Sequence, residues 1–592
     1  MTRKVQFGAR PAANGVTFRL WAPAARSVDV LIERPHPMQA LADGWFEATI
    51  AGAGAGTRYR FVIDRSFEVP DPASAFQPQD VSGPSEVVDH DAYVWRASDW
   101  RGRPWSEAAI LELHIGTFTP VGSFNSAIDR LDHVAATGLT AIELMPVADF
   151  PGRRGWGYDG VLIYAPDSSY GTPDDLKTLI DAAHTRGLMV FLDVVYNHFG
   201  PEGNHLARYA PDFFTPAHTP WGQAIDYRVA QVRAFAIENA LHWLDRYRFD
   251  GLRLDAVHAI PEPGRSLLLG ELSRAAGDLA AASGRLIHLV LENDDNTASL
   301  LDPQAEPPHG KFRAQWNDDY HHAWHALLTG EHGGYYQDYA GDPQAHLART
   351  LSSGFAYQGE ASAHREGRRR GEASGALPPT AFVNFLQNHD QIGNRPLGDR
   401  LDSQVGEAAV TAALAVTLLA PMPPLLFMGE EWGSTRPFPF FCDFHGELAD
   451  AVRRGRRAEF KSAYAAFGDD IPDPLAEETF RSAVLDWDTA AAPAGARRLA
   501  LVQALLTKRR ELIAPRLNGA AFGSARQDGP VLSARWHLGD GAILLLAANL
   551  SDAPAPRPSC VRSAQAIWGE AVAATLPPWF VSWSVSGGPG GP

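Results

Sequence analysis

The stretch FDGLRLDAV, residues 249–257, alternates leucines with two charged side chains, and this alternation decides the fold class. In a β-strand, Leu252 and Leu254 point to one face, while Arg253 and Asp255 point to the other. Barrels of parallel strands carry their active sites at the C-terminal ends of the strands, where this pair lies. We therefore predict a barrel strand that ends in a functional site, with a structural ion pair as the alternative interpretation of this strand alone.

Seven further apolar runs accompany this stretch, and segments with helical spacing separate them, most clearly 173–187, 232–247 and 497–512. Strand–helix alternation predicts parallel strands with crossover helices, and eight strands favour a closed (β/α)8 TIM barrel over an open sheet. The eight runs are residues 109–116, 140–147, 188–198, 250–257, 285–293, 311–317, 380–390 and 423–431.

Short strand patterns with frequent Pro and Gly lie on both sides of the barrel. Residues 1–95 are predicted to form an N-terminal β-sandwich, which is either a packing module or a carbohydrate-binding module. Residues 96–515 are predicted to form the catalytic barrel, and residues 516–592 a C-terminal β domain.

Two segments of the barrel are longer than ordinary connections, near 198–230 and 330–379. Insertions of this size commonly shape a substrate cleft. The second contains the run RRR, 368–370, which we predict to lie in a solvated loop.

The composition of the 592-residue chain excludes several classes of protein. It has 52 basic and 69 acidic residues, a formal net charge of −17, which argues against nucleic acid or an anionic membrane as partner. Its two cysteines, Cys442 and Cys560, cannot form a disulfide framework. The N-terminal residues lack the apolar stretch of a secretory signal, and no run of about 18 apolar residues occurs. We therefore expect a cytoplasmic protein.

Three more predicted strands end in polar side chains. Glu292 follows the fifth run, Asn197 and His198 follow the third, and His389 and Asp390 follow the seventh. The C-terminal ends of barrel strands surround one mouth, so we expect these side chains to converge with those of the fourth run. A convergent group of carboxyls and imidazoles at such a mouth predicts chemistry rather than packing.

The carboxyls suit retaining glycoside cleavage, which uses two carboxyl groups about 5–5.5 Å apart. Asp255, beside the positive charge of Arg253, is predicted to be ionised and to act as the nucleophile. Glu292 is predicted to be held protonated by burial and like charge, and to act as general acid and then as general base.

The remaining polar residues fit the binding of a sugar in the same mouth. Asp390 is predicted to stabilise the oxocarbenium charge and to hold sugar hydroxyls. His198 and His389 are predicted to form neutral hydrogen bonds with those hydroxyls. Tyr158, in GWGYDG, offers an aromatic ring to the face of the sugar.

Two other classes of function remain open at this point. Carboxylates at successive strand ends can hold Mg²⁺ in lyases and isomerases. Against this reading, Arg253 places a cation where the metal would sit, and no strand end supplies an obvious lysine base. A non-enzymatic glucan-binding protein is the other alternative.

Four strings in order, DVVYNH (193–198), GLRLDAVH (251–258), LENDDN (291–296) and FLQNHD (385–390), resemble the signatures of the α-amylase superfamily of glycoside hydrolases. This resemblance implies a TIM barrel and the same three carboxylate roles. By position it implies Asp255 as nucleophile, Glu292 as acid/base and Asp390 as transition-state stabiliser, with Tyr158, His198, Arg253 and His389 lining the subsite of the cleaved sugar.

Further strings, among them WAPAARSVDV, GWGYDGV and FRAQWNDDYHHAWH, are similar to the maltooligosyltrehalose trehalohydrolase family over nearly the whole chain. The similarity implies hydrolysis of the α-1,4 bond next to the terminal trehalose unit of maltooligosyl trehalose, after a separate synthase has acted. A glucan branching enzyme is the alternative, because its first half-reaction needs the same residues. The mechanism requires no cofactor, and no complete set of metal ligands is evident beside Asn197.

Two segments are candidates for selecting the trehalose leaving group. Asn317 and Asp318 follow the sixth strand, and the loop 437–444 follows the eighth. We predict that Asn317 and Asp318 contact the substrate, with loop packing as the alternative.

Overall fold

The computed structural model describes residues 6–219, 222–302, 311–461, 471–559, 566–570 and 572–587. Cys442 is a free, buried thiol, and Cys560 lies outside the described residues. No helix within these ranges is both long and apolar enough to cross a membrane.

Eight parallel strands close into a barrel in sequence order, which confirms the predicted fold class. Each of the eight apolar runs found in the sequence contains one strand. The strands are β1 (Ile110–Leu113), β2 (Ala141–Leu144), β3 (Met189–Val194), β4 (Gly251–Leu254), β5 (His288–Leu291), β6 (Ala314–Trp316), β7 (Phe382–Phe385) and β8 (Pro424–Phe427).

Helices cover the outside of the barrel. The longer ones are α1 (Leu131–Thr137), α2 (Pro173–Thr185), α3 (Ala230–Leu241), α4 (Gly264–Ser283), α5 (Asp318–Thr329), α6 (Pro343–Ser353), α7 (Glu407–Leu419), α8 (Gly446–Glu459) and α9 (Pro493–Lys508). Short helices span Ile115–Phe118, Phe124–Ile128, Leu206–Tyr209, His389–Gly393, Glu477–Ala483 and Asp488–Ala491. Between β5 and β6 the described residues form one 3-10 turn, Ala298–Leu300, in place of a crossover helix.

The sequence YGTPDD shows why α2 begins where it does. The Thr172 hydroxyl accepts a hydrogen bond from the Asp175 backbone N–H, and the Asp175 carboxylate accepts one from the Thr172 backbone N–H. Pro173 occupies the first helical position, where its missing N–H costs nothing. Gly187, two residues beyond the helix, adopts a φ of +72°, which favours glycine and turns the chain into β3.

The N-terminal region is a sandwich of two antiparallel sheets, and the C-terminal region is mainly one five-stranded antiparallel sheet. The first sheet contains Gly8–Ala12, Gly15–Trp21, Trp45–Ile50 and Gln39–Ala40; the second contains Pro35–Pro37, Val28–Leu31, Arg58–Ile63, Phe67–Val69 and Ser85–Glu86. The C-terminal sheet contains Ala521–Asp528, Val531–His537, Ile543–Asn549, Val581–Ser586 and Ala566–Trp568, beside a small pair, Ala555–Pro556 and Thr575–Leu576.

Alternation along β4 places its side chains as the sequence predicts. Leu252 and Leu254 belong to the core between the barrel and its helices, and Arg253 lies inside the barrel. Below Arg253 the barrel interior is apolar and includes Phe191 and Val290. The charged side chains that meet Arg253 lie at the C-terminal end of the barrel, and His288 at the start of β5 is a polar member of the layer below, in contact with Phe191.

The two predicted insertions carry structure of their own. The first contains a hairpin of Phe214–Thr219 and Gly222–Ile225. The second contains the 3-10 helix Gly334–Asp338, then α6, then a short hairpin of Glu360–Ala361 and Arg369–Arg370.

The prediction that residues 368–370 are solvated is wrong for Arg370. Its side chain is 4% exposed, and it pairs with the fully buried Asp319 at 2.5 Å and with Asp294 at 2.9 Å. Neighbouring Arg369 is exposed, as expected for a solvated loop. The sequence run hides this difference because hairpin residues alternate between two faces.

We expect Arg370→Ala to lower the free energy of unfolding by about 3–5 kcal/mol, because it leaves the Asp319 carboxylate buried without a counter-charge. Arg369→Ala is the matched control and should change the free energy by less than about 0.5 kcal/mol. Urea unfolding followed by circular dichroism measures both. Equal effects of the two variants would contradict the structural role of Arg370.

Candidate active site

The centre of the site is Arg253, whose guanidinium bridges three carboxylates inside the barrel mouth. Its Nη1 lies 2.6 Å from Asp193 Oδ2 and 2.9 Å from Asp255 Oδ1, and its Nη2 lies 2.7 Å from Glu292 Oε2. The Trp316 ring packs against the guanidinium, 4.2 Å from its central carbon. These contacts compensate for the burial of the cation, whose side chain is fully buried.

Both carboxyl oxygens of Asp255 accept hydrogen bonds. Arg253 donates to Oδ1, and the Asn197 side-chain amide donates to Oδ2 at 2.6 Å and to the Asp255 backbone carbonyl at 3.0 Å. These donors fix the position of the carboxyl group, as the role predicted for Asp255 requires.

Glu292 lies across the same guanidinium from Asp255. Its Oε2 accepts hydrogen bonds from Arg253 and from the Ala256 backbone N–H at 2.8 Å. Ala256 has a φ of +38°, a strained conformation that directs this N–H toward Glu292.

The prediction that burial and like charge hold Glu292 protonated stays a prediction. Oε1 of Glu292 accepts no hydrogen bond from the described residues. It is therefore the oxygen available to a substrate.

His389 carries a charge, which the sequence interpretation did not foresee. Its Nδ1 contacts the Glu112 carboxylate, and its Nε2 lies 3.5 Å from Asp390 Oδ1. Burial alone would lower the pKa of His389, but the Asp390 and Glu112 carboxylates outweigh it and raise the pKa to about 9. The prediction of a neutral imidazole is therefore wrong for His389, which is a cation at neutral pH.

His198 differs from His389 in charge. Burial lowers the pKa of His198 to about 4, so it is neutral, as expected. Its Nε2 contacts the Tyr158 backbone carbonyl at 2.8 Å, and its Nδ1 contacts the Asn197 side chain. His198 therefore links two parts of the site. One is the loop that contains Tyr158, and the other is Asn197, which holds Asp255.

Tyr158 reaches the mouth from the loop after β2. Its hydroxyl donates to Asp193 at 2.6 Å and lies 2.8 Å from His389 Nε2, while its ring stacks on the His389 ring at 5.1 Å. Gly157 adopts a φ of +97°, and a Cβ there would lie 2.0 Å from the Pro146 carbonyl oxygen. Only glycine allows this close turn before Tyr158.

Asp390 is the most accessible of the three predicted catalytic carboxyls, with 35% of its side chain exposed. The Asn388 side chain accepts hydrogen bonds from the Asp390 and Gln391 backbone N–H groups, so it caps the short helix His389–Gly393. Burial in the mouth, to which the Glu292 charge adds, raises the pKa of Asp390 in spite of His389.

Asn317 and Asp318, predicted together as substrate contacts, are in different environments. Asn317 is fully buried, and its amide donates to the Gly354 carbonyl at 3.1 Å and to Asn384 Oδ1 at 2.9 Å. Asn317 thus lies in the barrel wall, and its contact with a substrate stays a prediction. Asp318 lies in the mouth, where burial, with the nearby Glu292 carboxylate adding to it, raises its pKa well above the usual range.

Sequence reasoning missed three residues that support the site: Asp193, Glu112 and Glu143. Asp193 binds Arg253, Glu112 binds His389, and Glu143 on β2 has neither carboxyl oxygen hydrogen-bonded within the described residues. Asn197, which the sequence analysis placed at the mouth, holds Asp255. Burial, to which the Glu112 charge adds, raises the pKa of Glu143 well above its usual range. The sequence did indicate these residues, because Glu112, Glu143 and Asp193 interrupt apolar strands in the same way as Arg253.

The arrangement supports double displacement at a sugar carbon. One planar guanidinium holds Asp255 and Glu292, so their carboxyl groups lie a few ångströms apart, as retaining glycosidases require. A divalent ion between the same carboxylates would compete with Arg253 for its position. No cluster of three metal-ligating side chains occurs in the parts of the chain that the structure describes.

Comparison with known protein families assigns all three regions. The α-amylase catalytic domain matches residues 98–212, carbohydrate-binding module 48 (isoamylase N-terminal domain) matches residues 6–78, and a domain of unknown function, DUF3459, matches residues 520–583. A pullulanase from Paenibacillus barengoltzii shares the fold, with a TM-score of 0.70 at 18% identity over 99% of this chain and 96% of its own.

Closer relatives cover almost the whole chain. A malto-oligosyltrehalose trehalohydrolase of Deinococcus radiodurans is 42% identical over 90% of this chain and 88% of its own, and one of Arthrobacter ramosus is 41% identical over 84% and 87%. A crystal structure from Salmonella typhimurium, described as a candidate α-amylase, has a TM-score of 0.92 at 44% identity over 98% and 99%. With its barrel, its four strand-end motifs and these relatives, the chain belongs to the malto-oligosyltrehalose trehalohydrolase family of the α-amylase superfamily.

Proposed function

We propose that this enzyme hydrolyses the α-1,4-glucosidic bond next to the terminal trehalose unit of maltooligosyl trehalose, with retention of configuration. The observation that carries the proposal is the pair of carboxyls bridged by Arg253 at the mouth of the barrel. The trehalohydrolase names of the relatives support the choice of substrate.

In the first step, Asp255 attacks the anomeric carbon of the sugar that precedes trehalose, and a covalent glycosyl ester forms as the glycosidic C–O bond breaks. Glu292 gives its proton to the leaving oxygen, so trehalose departs neutral. In the second step, Glu292 takes a proton from water, whose oxygen attacks the same carbon and releases Asp255. The second product is a maltooligosaccharide.

The other site residues stabilise the charge of the transition state or hold the catalytic carboxyl groups in position. Asp390 stabilises the oxocarbenium-like transition state, and His389, whose Nε2 lies 3.5 Å from Asp390 Oδ1, holds it in position. Arg253 holds the Asp255 carboxyl in place. It also sets the distance between Asp255 and Glu292, because it binds both.

A maltooligosyltrehalose synthase that supplies the substrate is the functional partner we propose, and a cytoplasmic location belongs to the same proposal. The synthase follows from the chemistry of the substrate, which is itself the product of an isomerisation at the reducing end of a glucan. A cell extract that makes trehalose from maltodextrin only when both enzymes are present would support the pairing.

The decisive experiment compares three substrates: maltopentaosyl trehalose, maltoheptaose and amylose, with products separated by chromatography. We expect trehalose and maltopentaose from the first, with slow attack on the others. New α-1,6 branch points in amylose would favour a branching enzyme, a class that includes a relative 32% identical over 42% of this chain. Proton NMR of the fresh maltopentaose should show the α-anomer, and a β-anomer would contradict a covalent intermediate.

Asp255→Asn should lower kcat by about four orders of magnitude or more, because it removes the nucleophile without changing the shape of the side chain. Asp552→Asn, an exposed position in the C-terminal domain, is the matched control and should retain full activity. Retained activity in Asp255→Asn would contradict the nucleophile assignment.

Asp318 should act as a neutral hydrogen-bonding group toward the substrate, because its pKa is raised. Asp318→Asn then preserves shape and hydrogen bonding, and we expect kcat/KM on maltopentaosyl trehalose to stay within about threefold of the wild type. Asp318→Ala removes the group and should lower kcat/KM by roughly tenfold. If the two variants lose the same activity, the enzyme needs the charged carboxylate instead.

The charge of His389 should appear in the pH dependence of stability. A folded-state pKa of about 9, above the usual 6.5, gives a stabilisation that is complete below pH 6.5 and is lost as the pH rises through 9. We expect the difference in unfolding free energy between the wild type and His389→Gln to shrink by about 2–3 kcal/mol over this range. A difference that stays constant from pH 6 to pH 9.5 would show that His389 is neutral.

A further inference from the structure

A second cavity lies at the opposite end of the barrel from the active site. Its volume is about 250 Å³. Its walls come from the segment before β1, the start of β2, the end of α9 and the chain that leads into the C-terminal sheet. The polar part of the lining is formed by Arg103, Ser106, Glu107, Thr140, Arg509, Arg510 and Asn518.

The lining of this cavity carries a net positive charge, from three arginines and one glutamate, although the whole chain carries −17. Glu107 is the acidic residue among the lining residues, and it is paired with Arg103 at 2.6 Å. The charges of Arg509 and Arg510 therefore have no carboxylate partner within the described residues.

Arg509 is the buried member of this pair, at 2% exposure. It donates to the carbonyls of Leu418, Ala420 and Met422 at the C-terminal end of α7, and its Nε has no acceptor among the described residues. Burial lowers the pKa of Arg509 to about 9, as expected for a buried cation that lacks an anion.

Hydrogen-bond donors at the rim add to this positive charge. The side chains of Arg510 and Asn518 are exposed, that of Ser106 is half-buried, and none of the three makes a hydrogen bond within the described residues. Guanidinium, amide and hydroxyl donors around one cavity form a typical environment for an oxyanion, and arginine binds phosphate in a bidentate manner.

We propose that this cavity binds the dianion of a phosphate monoester or inorganic phosphate, with Arg510, Asn518 and Ser106 as direct contacts and Arg509 as the buried cation behind them. The volume is slightly below the roughly 300–1,000 Å³ of pockets for drug-sized ligands, so it suits a group of the size of a phosphorylated monosaccharide. The site is separate from the proposed active site, which lies at the C-terminal ends of the same strands.

The test is isothermal titration calorimetry of the full chain at pH 8 and low ionic strength, with inorganic phosphate and with glucose 6-phosphate as probes. We expect saturable binding of both at one site per chain. Tighter binding of glucose 6-phosphate would show that the cavity also holds the sugar, whereas equal binding would assign the site to the phosphate group alone.

Two variants test whether the probes bind in this cavity. Arg510→Gln removes an exposed cation and should weaken both probes at least about tenfold, and Asn518→Asp, which brings a negative charge to the rim, should weaken them further. Arg454→Gln, at an exposed position of α8, is the control and should bind as the wild type does. Absence of saturable binding to the wild type, or binding unchanged in both cavity variants, would overturn the proposal.

Discussion

The active end of this protein depends on one interaction, the contact of the buried Arg253 guanidinium with carboxylates from β3, β4 and β5. A cation inside a barrel is costly unless counter-charges reach it, and its counter-charges are costly without it. Because the two requirements satisfy each other, the barrel can hold Asp255 and Glu292, the proposed nucleophile and acid/base, side by side. The same contact fixes their spacing, so charge compensation and catalytic geometry have one cause.

A second, connected set of charges extends this arrangement across the mouth. Glu112 on β1 holds His389, which lies against Tyr158 and Asp390, and Tyr158 donates to Asp193 beside Arg253. Two cations, Arg253 and His389, therefore lie among the carboxyl groups of the mouth. The apolar layer below them, with Phe191 and Val290, excludes water from underneath and strengthens each of these interactions.

The sequence was sufficient for the fold and for the residues that converge, because both depend on periodicity. All eight barrel strands fall within the predicted runs, and parity along β4 correctly assigns Arg253 to the inside. It was insufficient for properties that depend on partners from distant segments. The charge of His389 depends on its neighbour Asp390 and also on Glu112, 277 residues away, and the burial of Asn317 depends on Gly354 and Asn384. The burial of Arg370 likewise depends on Asp319.

The direction of the helices explains where two buried charges, Asp319 and Arg509, lie. Barrel helices run antiparallel to the strands, so their N-termini lie at the catalytic mouth and their C-termini at the other end. Helix N-termini favour anions and helix C-termini favour cations. Asp319, in the first turn of α5, lies at the mouth, and Arg509 binds the carbonyls at the C-terminal end of α7. The fold therefore favours a cation at this end of the barrel, because helix C-termini lie there, and Arg509 of the arginine-lined cavity binds one of them. The same geometry keeps an anion at this cavity away from the carboxylates of the mouth, because the length of the barrel separates them.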